Sequence, residues 1–450
     1  MGLLRRELAR LTRLALPVAI TQLSTMLLWT VDLLMVARVG VEAINAVSLG
    51  RIWVMGTTIV GMGFLFGLDG LAAQAHGARA ARRLGSLLAH GSWLAVGISL
   101  PLGILWLFTG PLLVLAGQEP ATAALAHRYV LVQIPSLPFF LLFVAWKQFL
   151  QARGIVRPAM WVGFLGNGLN VLLDWLLVFG HAGLPALGAV GAGVATALTQ
   201  AVLFLALALV VWRARLLRGV RWTWSLAALA RAELAAIARL GAPVAVQLGF
   251  EYWAFAIALL WAGWLGPVEL AAHAVALNLA SITYMLPLGV SLAAAARVGQ
   301  LIGAGDGAGA RRSAWLALAL GGGLMAVCAL VFVAGRRFLP GLYGADAAVL
   351  ALASSVLPIA AAFQLFDGLQ VVASGVLRGM GRPRPAALAN LFGFYAAALP
   401  LGWWLAFRAG FGLAGLWWGL ALGLATVALA LVLLIARRGP DRVVALVRPR

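Results

Sequence analysis

"PVAVQLGFEYWAFAIALLWAGWLG", residues 243–266, is long and apolar enough to cross a bilayer as a single helix. Near its middle it carries Glu251, with no basic residue within reach along the same helix. A carboxylate at that depth is costly to insert, so its presence is by default a sign of function. The stretch therefore predicts a membrane-spanning helix that does more than anchor the chain.

The composition of the whole chain supports a membrane protein. Of 450 residues, 64% are hydrophobic and only 10% are charged, and the mean hydropathy is +1.01. A water-soluble core cannot hide so much apolar surface, which predicts an all-α integral membrane fold. The formal charge of +20 would suggest nucleic acid in a soluble protein. Here we interpret the charge as a topology signal and expect no nucleic-acid partner.

Apolar runs broken by Gly, Pro and Arg clusters predict twelve transmembrane helices. They cover residues 12–38, 49–75, 87–115, 122–150, 158–180, 187–213, 239–264, 271–302, 312–334, 347–376, 384–406 and 413–437. All but six of the 33 Lys and Arg residues then lie on the side of the N-terminus. The positive-inside rule places both termini in the cytoplasm. Because Arg greatly outnumbers Lys, as GC-rich coding favours, we expect a multi-pass protein of a bacterial cytoplasmic (inner) membrane.

The chain repeats itself at an offset close to 226 residues. "RLALPVA" at residues 13–19 returns as "RLGAPVA" at 239–245, and Gln74 and Gly77 align with Gln300 and Gly303. We predict an N-lobe (1–212), a cytoplasmic amphipathic linker (213–238) that meets membrane lipid, and a C-lobe (239–450). Two six-helix bundles of equal orientation, related by a pseudo-twofold axis, are a transporter architecture with the substrate site between the halves.

Four carboxylates lie deep in the predicted helices. At 1.5 Å per residue, Asp32 and Asp174 fall at similar depths in the N-lobe, as do Glu251 and Asp367 in the C-lobe. Asn170 is one turn from Asp174, on the same face. None of the four acids has an acidic counterpart in the other half, and we expect no Arg or Lys at their depth. Two carboxylates close together at low dielectric hold a proton or bind a cation, as a coupling-ion site requires.

Other candidates lie near these acids or at the outer surface. Trp253 and Tyr284 are the aromatic residues suited to cation-π contact with a substrate or ion, although packing is the more common role. Asp346 lies at the outer mouth, where it attracts cationic solutes or faces basic neighbours. Asp69 is assigned to the membrane interface, beside Arg79 or Arg82.

The order and spacing of several motifs resemble the multidrug and toxic compound extrusion (MATE) family, in particular its NorM-like branch. The motifs span nearly the whole chain: "LALPVAITQL" (14–23), "VDLLMVARVG" (31–40), "GNGLNVLLDWLLVFG" (166–180), "VGAGVATALT" (190–199), "PVAVQLGFE" (243–251), "LAAHAVALN" (270–278), "RVGQLIGAGD" (297–306) and "FDGLQVVASGVLRGMGRP" (366–383). Each is an ordinary apolar string when taken alone. Together they are specific.

The resemblance implies two bundles around a central cavity that alternate between inward-open and outward-open states. It implies export of small cationic or amphiphilic drugs against an inward Na⁺ or H⁺ gradient, without a cofactor or catalytic residues, and we expect a monomer. The residues that match the family's N-lobe cation or proton site are Asp32, Asn170, Asp174 and Thr196, and those that match its C-lobe site are Glu251 and Asp367. Phe363 stands where some members have a substrate-contacting Tyr, and it lacks the hydroxyl.

Three other functions remain open at this point. A lipid-linked oligosaccharide flippase of the same superfamily shares the architecture but needs deep basic residues for a pyrophosphate, and every basic residue here maps near a membrane surface. An integral membrane enzyme that modifies lipids needs a catalytic cluster at the interface, and no such motif is found. A passive channel would not need two unlike acid pairs.

Overall fold

The computed structural model describes residues 2–220, 230–344 and 346–447, without the side chain of Trp29. Twelve helices long and apolar enough to cross a membrane run through these residues. They are α1 (Gly2–Ala37), α2 (Val41–Gly77), α3 (Ala81–Leu107), α4 (Pro120–Ala152), α5 (Arg157–Phe179), α6 (Gly188–Arg213), α7 (Arg231–Leu265), α8 (Pro267–Gly303), α9 (Gly307–Ala334), α10 (Ala347–Gly379), α11 (Arg384–Arg408) and α12 (Gly412–Arg437). The prediction of an all-α, twelve-helix membrane protein is confirmed.

Several helices extend beyond the predicted apolar spans. α1 begins at Gly2, ten residues before its predicted start, and α7 begins at Arg231, within the range assigned to the linker. Residues 221–229 of that linker lie outside the described residues. The predicted third span is two helices, because α3 ends at Leu107 and a short helix covers Thr109–Leu115. Hydropathy detects the lipid-crossing part of a helix and misses its polar extensions, which other helices stabilise.

By the sequence repeat the helices divide into an N-lobe, α1–α6, and a C-lobe, α7–α12. The two lobes meet where α1 packs against α8 and α2 packs against α7. The first and last described segments lie at the same face of the bundle, where Glu7 bonds to Arg297 of α8 and Leu446 bonds to Gln74 of α2. We call this face the terminal face.

The two lobes approach each other closely in the half of the helices nearest the terminal face. There a Cβ added at Gly63 would lie 2.3 Å from the Ala245 Cα, and one added at Gly289 would lie 2.7 Å from the Ala19 Cβ. The two contacts are related by the 226-residue offset.

At the terminal face itself, α2 and α8 approach each other through a second pair of contacts related by the 226-residue offset. A Cβ at Gly77 would lie 1.9 Å from the carbonyl oxygen of Gln300, and one at Gly303 would lie 2.0 Å from that of Gln74. Each glycine therefore allows its helix to reach the backbone of the equivalent helix in the other lobe. We call this pair of reciprocal contacts the glycine closure. It is the isologous contact that a pseudo-twofold axis generates.

Polar bonds reinforce the glycine closure. The Gln74 side-chain amide donates to the Gly379 carbonyl at 3.1 Å, and that of Gln300 donates to the Ala152 carbonyl at 2.9 Å. The Arg297 guanidinium forms two bonds to the Glu7 carboxylate, at 2.6 and 2.8 Å. All three interactions join one lobe to the other, so the terminal face is closed in this conformation.

Candidate functional site

The N-lobe acids meet where the outer halves of α1 and α5 pack together. Asp174 and Asn170, one turn apart on α5, are both fully buried, and Asp32 on α1 is 9% exposed. The Asp32 and Asp174 carboxyl groups lie close enough to influence each other's charge state. Two ionised carboxylates so close together repel each other, which favours a proton or a cation between them. The structure thus brings together the N-lobe residues that depth alone had paired.

Most polar atoms of this cluster have no partner in the protein. Neither carboxylate oxygen of Asp174, neither amide atom of Asn170 and not Oδ1 of Asp32 has a hydrogen-bond partner among the described residues. Buried polar atoms are normally paired, so a cluster of unpaired oxygens indicates a site completed by something other than protein. Carboxylate and amide oxygens suit a hard cation, and paired carboxylates equally suit a proton.

Thr199, which the sequence analysis did not single out, has a further buried hydroxyl without a hydrogen-bond partner among the described residues. It lies on α6 and is 2% exposed. The predicted ligand Thr196, one turn earlier on the same helix, is only partly buried. The spacing of three residues puts both threonines on one helix face, and that signal could have been used to find Thr199.

A basic residue lies closer to the N-lobe acids than expected. Arg51 on α2 acts electrostatically on Asp32, and Tyr129 on α4 lies near both Asp32 and Asp174. The expectation that no Arg or Lys reaches the depth of the acids was therefore wrong for this lobe. The error arose because the helices were treated as straight and parallel, whereas a long Arg side chain extends several ångströms along the bundle.

The C-lobe acids lie beside a hydrogen-bonded pair of buried amides, Gln370 and Asn390. Glu251 on α7 is within hydrogen-bonding reach of Gln370 on α10, whose amide donates to the Asn390 Oδ1 at 2.9 Å. Asp367, 6% exposed, interacts electrostatically with Glu251 without a direct bond between them. Gln370 and Asn390, both fully buried, were missed because uncharged amides carry no strong sequence signal.

The structure places the four other candidate residues in different surroundings. Tyr284 on α8 lies in the electrostatic field of both Glu251 and Asp367. Phe363 is 2% exposed within an aromatic cluster, 5.6 Å from the Trp417 ring. Trp253 is 47% exposed and, two residues from Glu251, points to the opposite side of α7. Asp346 is exposed at the start of α10. Tyr284 thus lies beside the C-lobe acids, and Phe363 is one helical turn from Asp367 on α10.

Asp69 has a different partner from the one expected. The residues proposed to pair with it, Arg79 and Arg82, are exposed, whereas the Arg378 Nε of the other lobe lies 3.8 Å from the Asp69 carboxylate. Arg378 is 6% exposed and also acts electrostatically on Glu251. The assignment of Asp69 to Arg79 or Arg82 was wrong. The assumption that every basic residue lies near a membrane surface fails for Arg378.

A membrane protein built from two parallel six-helix repeats, with a separate buried acid cluster in each, has the architecture of a secondary transporter. The comparisons with known proteins agree with that class. The chain matches the MatE family over residues 17–176 and 243–404. It belongs to that family.

Among similar proteins, the multidrug resistance protein NorM of Burkholderia vietnamiensis is 37% identical over 434 residues, 94% of this chain and 93% of its own. The multidrug and toxin extrusion protein 1 of Oryctolagus cuniculus is 33% identical over 96% of this chain and 75% of its own. The crystal structure of the eukaryotic MATE transporter AtDTX14 superposes with a TM-score of 0.88 at 26% identity, covering 98% of this chain and 99% of that chain. The resemblance predicted from the motifs is confirmed.

Proposed function

We propose that this protein is a secondary active multidrug exporter that moves small cationic or amphiphilic drugs out of the cell in exchange for inward Na⁺ or H⁺. The observation that carries the proposal is the set of unpaired buried oxygens around Asp32 and Asp174, which a cation or proton would complete. The names of the relatives, NorM and multidrug and toxin extrusion protein, support drugs as the exported substrate.

The positive-inside pattern supports the orientation of the exporter. It supports a terminal face on the cytoplasmic side of a bacterial inner membrane. The glycine closure then seals the cytoplasmic side, and this conformation is outward-facing. In this state the acid clusters receive ions from outside. Opening of the closure and separation of the lobes at the cytoplasmic side complete alternating access.

Ion entry supplies the energy for export. One monovalent cation that moves inward across the membrane gains about 2.3 kcal/mol per 100 mV of potential, before any concentration gradient is counted. Exchange requires that the drug and the ion favour different conformations, because a ligand with equal affinity for both states shifts neither population. A cationic drug and an incoming cation compete for the same negative charge, which gives that difference.

The test is transport in proteoliposomes loaded with a fluorescent cationic dye, with a Na⁺ gradient and a pH gradient imposed separately. We expect one gradient to drive dye movement in the wild type, and Asp32→Asn and Asp367→Asn to reduce it sharply. Asp346→Asn, an exposed acid outside both clusters, is the matched control and should transport normally.

Two outcomes contradict the proposal. Unchanged dye movement in both cluster variants would remove the acids from the ion pathway. An absence of movement under either gradient, in protein that elutes as a single folded species, would favour the flippase alternative. For that function the buried Arg378 would be the first residue to examine, since an anionic headgroup needs a deep cation.

A further inference from the structure

Four charged side chains cross the boundary between the lobes in alternating order. They are Lys147 and Asp69 of the N-lobe, followed by Arg378 and Glu251 of the C-lobe. Lys147 acts electrostatically on Asp69, Asp69 pairs with Arg378, and Arg378 acts on Glu251. We call these four residues the charge chain. Its sum is zero when both acids are ionised.

The central link of the charge chain is held by charge and not by a hydrogen bond. The Arg378 Nε and the Asp69 Oδ2 are 3.8 Å apart, and neither atom has a hydrogen-bond partner among the described residues. Arg378 is fixed instead by a 3.1 Å bond from its Nη2 to Ser291 and by the ring of Phe66, 5.5 Å away. A contact without a hydrogen bond depends on the electrostatic balance around it and is the easier one to break.

The charge chain lies within the closed half of the molecule. A Cβ added at Gly70, the residue after Asp69 on α2, would lie 2.4 Å from the carbonyl oxygen of Arg378. The next residue of α10, Gly379, accepts the inter-lobe bond from Gln74. Arg378 therefore cannot remain beside Asp69 if the lobes separate at the terminal face. Breaking of this pair and opening of the closure are one event.

We propose that the charge chain couples occupancy of the C-lobe acid pair to the opening of the terminal face, with Asp69 and Arg378 as positioning residues. This inference rests on the proposed ion-coupled function. With Glu251 ionised, the chain is neutral and its burial in the closed interface is tolerated. When a cation at Glu251 cancels that charge, the remaining three residues carry a net charge of +1 in a desolvated interface.

A net buried charge is expensive, whereas water at an opened face hydrates it. Ion binding from outside thus weakens the closure and promotes the inward-open state, which is the direction that exchange requires. The other groups facing Glu251 are Gln370, Asp367 and Tyr284. Asp367 acts on Glu251 and belongs to the ion site itself. Tyr284 and Gln370 carry no charge, so they leave the sum of the chain unchanged.

The experiment measures the distance between the lobes at the terminal face directly. Spin labels on Arg82→Cys and Ala308→Cys report this distance, because both positions are exposed and lie near the starts of α3 and α9. The native Cys328 is replaced by Ser. The full-length protein is reconstituted in lipid without drug, and distance distributions are recorded by pulsed electron double resonance.

We expect the wild type without Na⁺ and at alkaline pH to show mainly the short, closed distance. Glu251→Gln removes the negative charge that a bound cation would neutralise. It should reduce the ratio of closed to open protein by roughly 5- to 150-fold, the range of typical inter-site coupling. Glu251→Asp keeps the charge and should keep the closed distance. This conservative variant also shows whether a change at this position disturbs folding.

The decisive variant restores the sum of charges without restoring the acid. Lys147→Met added to Glu251→Gln returns the charge chain to zero and should recover the closed distance. Lys147→Arg in the same background is the matched control and should remain open. An unchanged distance in Glu251→Gln, or equal recovery with Met and Arg, would overturn the charge chain.

Dye transport by the same wild-type preparation tests the proposed function separately. If the labels respond as expected and no gradient drives the dye, the export proposal fails while the charge chain stands. If dye moves under a gradient and Glu251→Gln leaves the distance unchanged, the charge chain alone fails.

Discussion

Gly77→Ala tests whether the glycine closure sets the balance between the closed and open terminal face. The new Cβ would lie 1.9 Å from the Gln300 carbonyl oxygen, whereas ordinary contact begins at 3.4 Å. Because the obstructing atom belongs to a helix backbone, α2 and α8 must move apart by the difference, 1.5 Å. Overpacking of this kind costs about 1–3 kcal/mol. The cost falls on the closed state, because separated lobes leave space for the methyl group.

At about 1.4 kcal/mol for each factor of ten, the closed-to-open ratio should fall roughly 5- to 150-fold. Gly303→Ala should have a similar effect, because its Cβ would approach the Gln74 carbonyl to 2.0 Å. The matched control is Gly97→Ala on α3, where an added Cβ has no atom within 4 Å. Gly97→Ala gains the same helix propensity as Gly77→Ala, so comparison with this control removes that contribution.

The assay is the inter-lobe distance between labels at residues 82 and 308, supported by labelling of the closed face with a membrane-impermeant thiol reagent. Closed distances in Gly77→Ala that match those of Gly97→Ala would refute the reasoning. So would a large effect of Gly77→Ala with none from Gly303→Ala, because the two contacts are equivalent by the repeat.

Two further predictions address the N-lobe site and the polar ties of the closure. Thr199→Val should weaken the ion dependence of dye export several-fold, since it removes an unpaired buried hydroxyl from α6, the helix that packs against α5 with its Asp174. Thr196→Val should have the smaller effect, and equal effects would leave Thr199 without a special role. Glu7→Gln should shift the label distance toward the open state, because it leaves Arg297 without its bidentate partner; for side chains only 10% and 16% exposed we expect a cost of about 1–3 kcal/mol, below that of a fully buried pair. An unchanged distance in Glu7→Gln would show that this ion pair survives opening.

The sequence predicted the parts of the molecule that depend on one helix at a time. Helix number, the repeat and the depths of the four acids follow from hydropathy and from the rise per residue, so Asp32 and Asp174 could be paired by depth alone. The partners of Arg378 could not be found in the same way. Asp69 and Phe66 come from the other lobe, and depth along a helix does not say which face turns toward which neighbour.

The same limit explains why two residues, Arg51 and Trp253, were placed wrongly from the sequence. Arg51 was counted as a residue near the membrane surface, yet its side chain acts on Asp32. Trp253 was chosen because it is close to Glu251 along the chain, and the helical turn of about 100° per residue puts the two on opposite sides of α7. Proximity in sequence predicts contact at intervals of three or four residues and not at two.

The repeat also bears on our proposal that the C-lobe acids control the opening of the terminal face. The closing contacts obey the 226-residue offset: Gly77 with Gln300 has its equivalent in Gly303 with Gln74. The charge chain does not. Asp69 corresponds to Ala295 in the second half. The repeat therefore provides no second pair in which residue 295 would bind Arg153 as Asp69 binds Arg378.

Arg153, which matches Arg378 in the motif "RGIVRP", donates instead to the carbonyl oxygen of Leu216 in its own lobe. A symmetric interface alone would open under equal influence from both lobes. In our proposal, the Asp69–Arg378 pair gives the C-lobe acids an influence on the closure for which the N-lobe acids have no counterpart at the equivalent position. On this reasoning, an ion in the C-lobe opens the terminal face, while an ion in the N-lobe acts through α1, where Asp32 and the closing residue Ala19 share one helix.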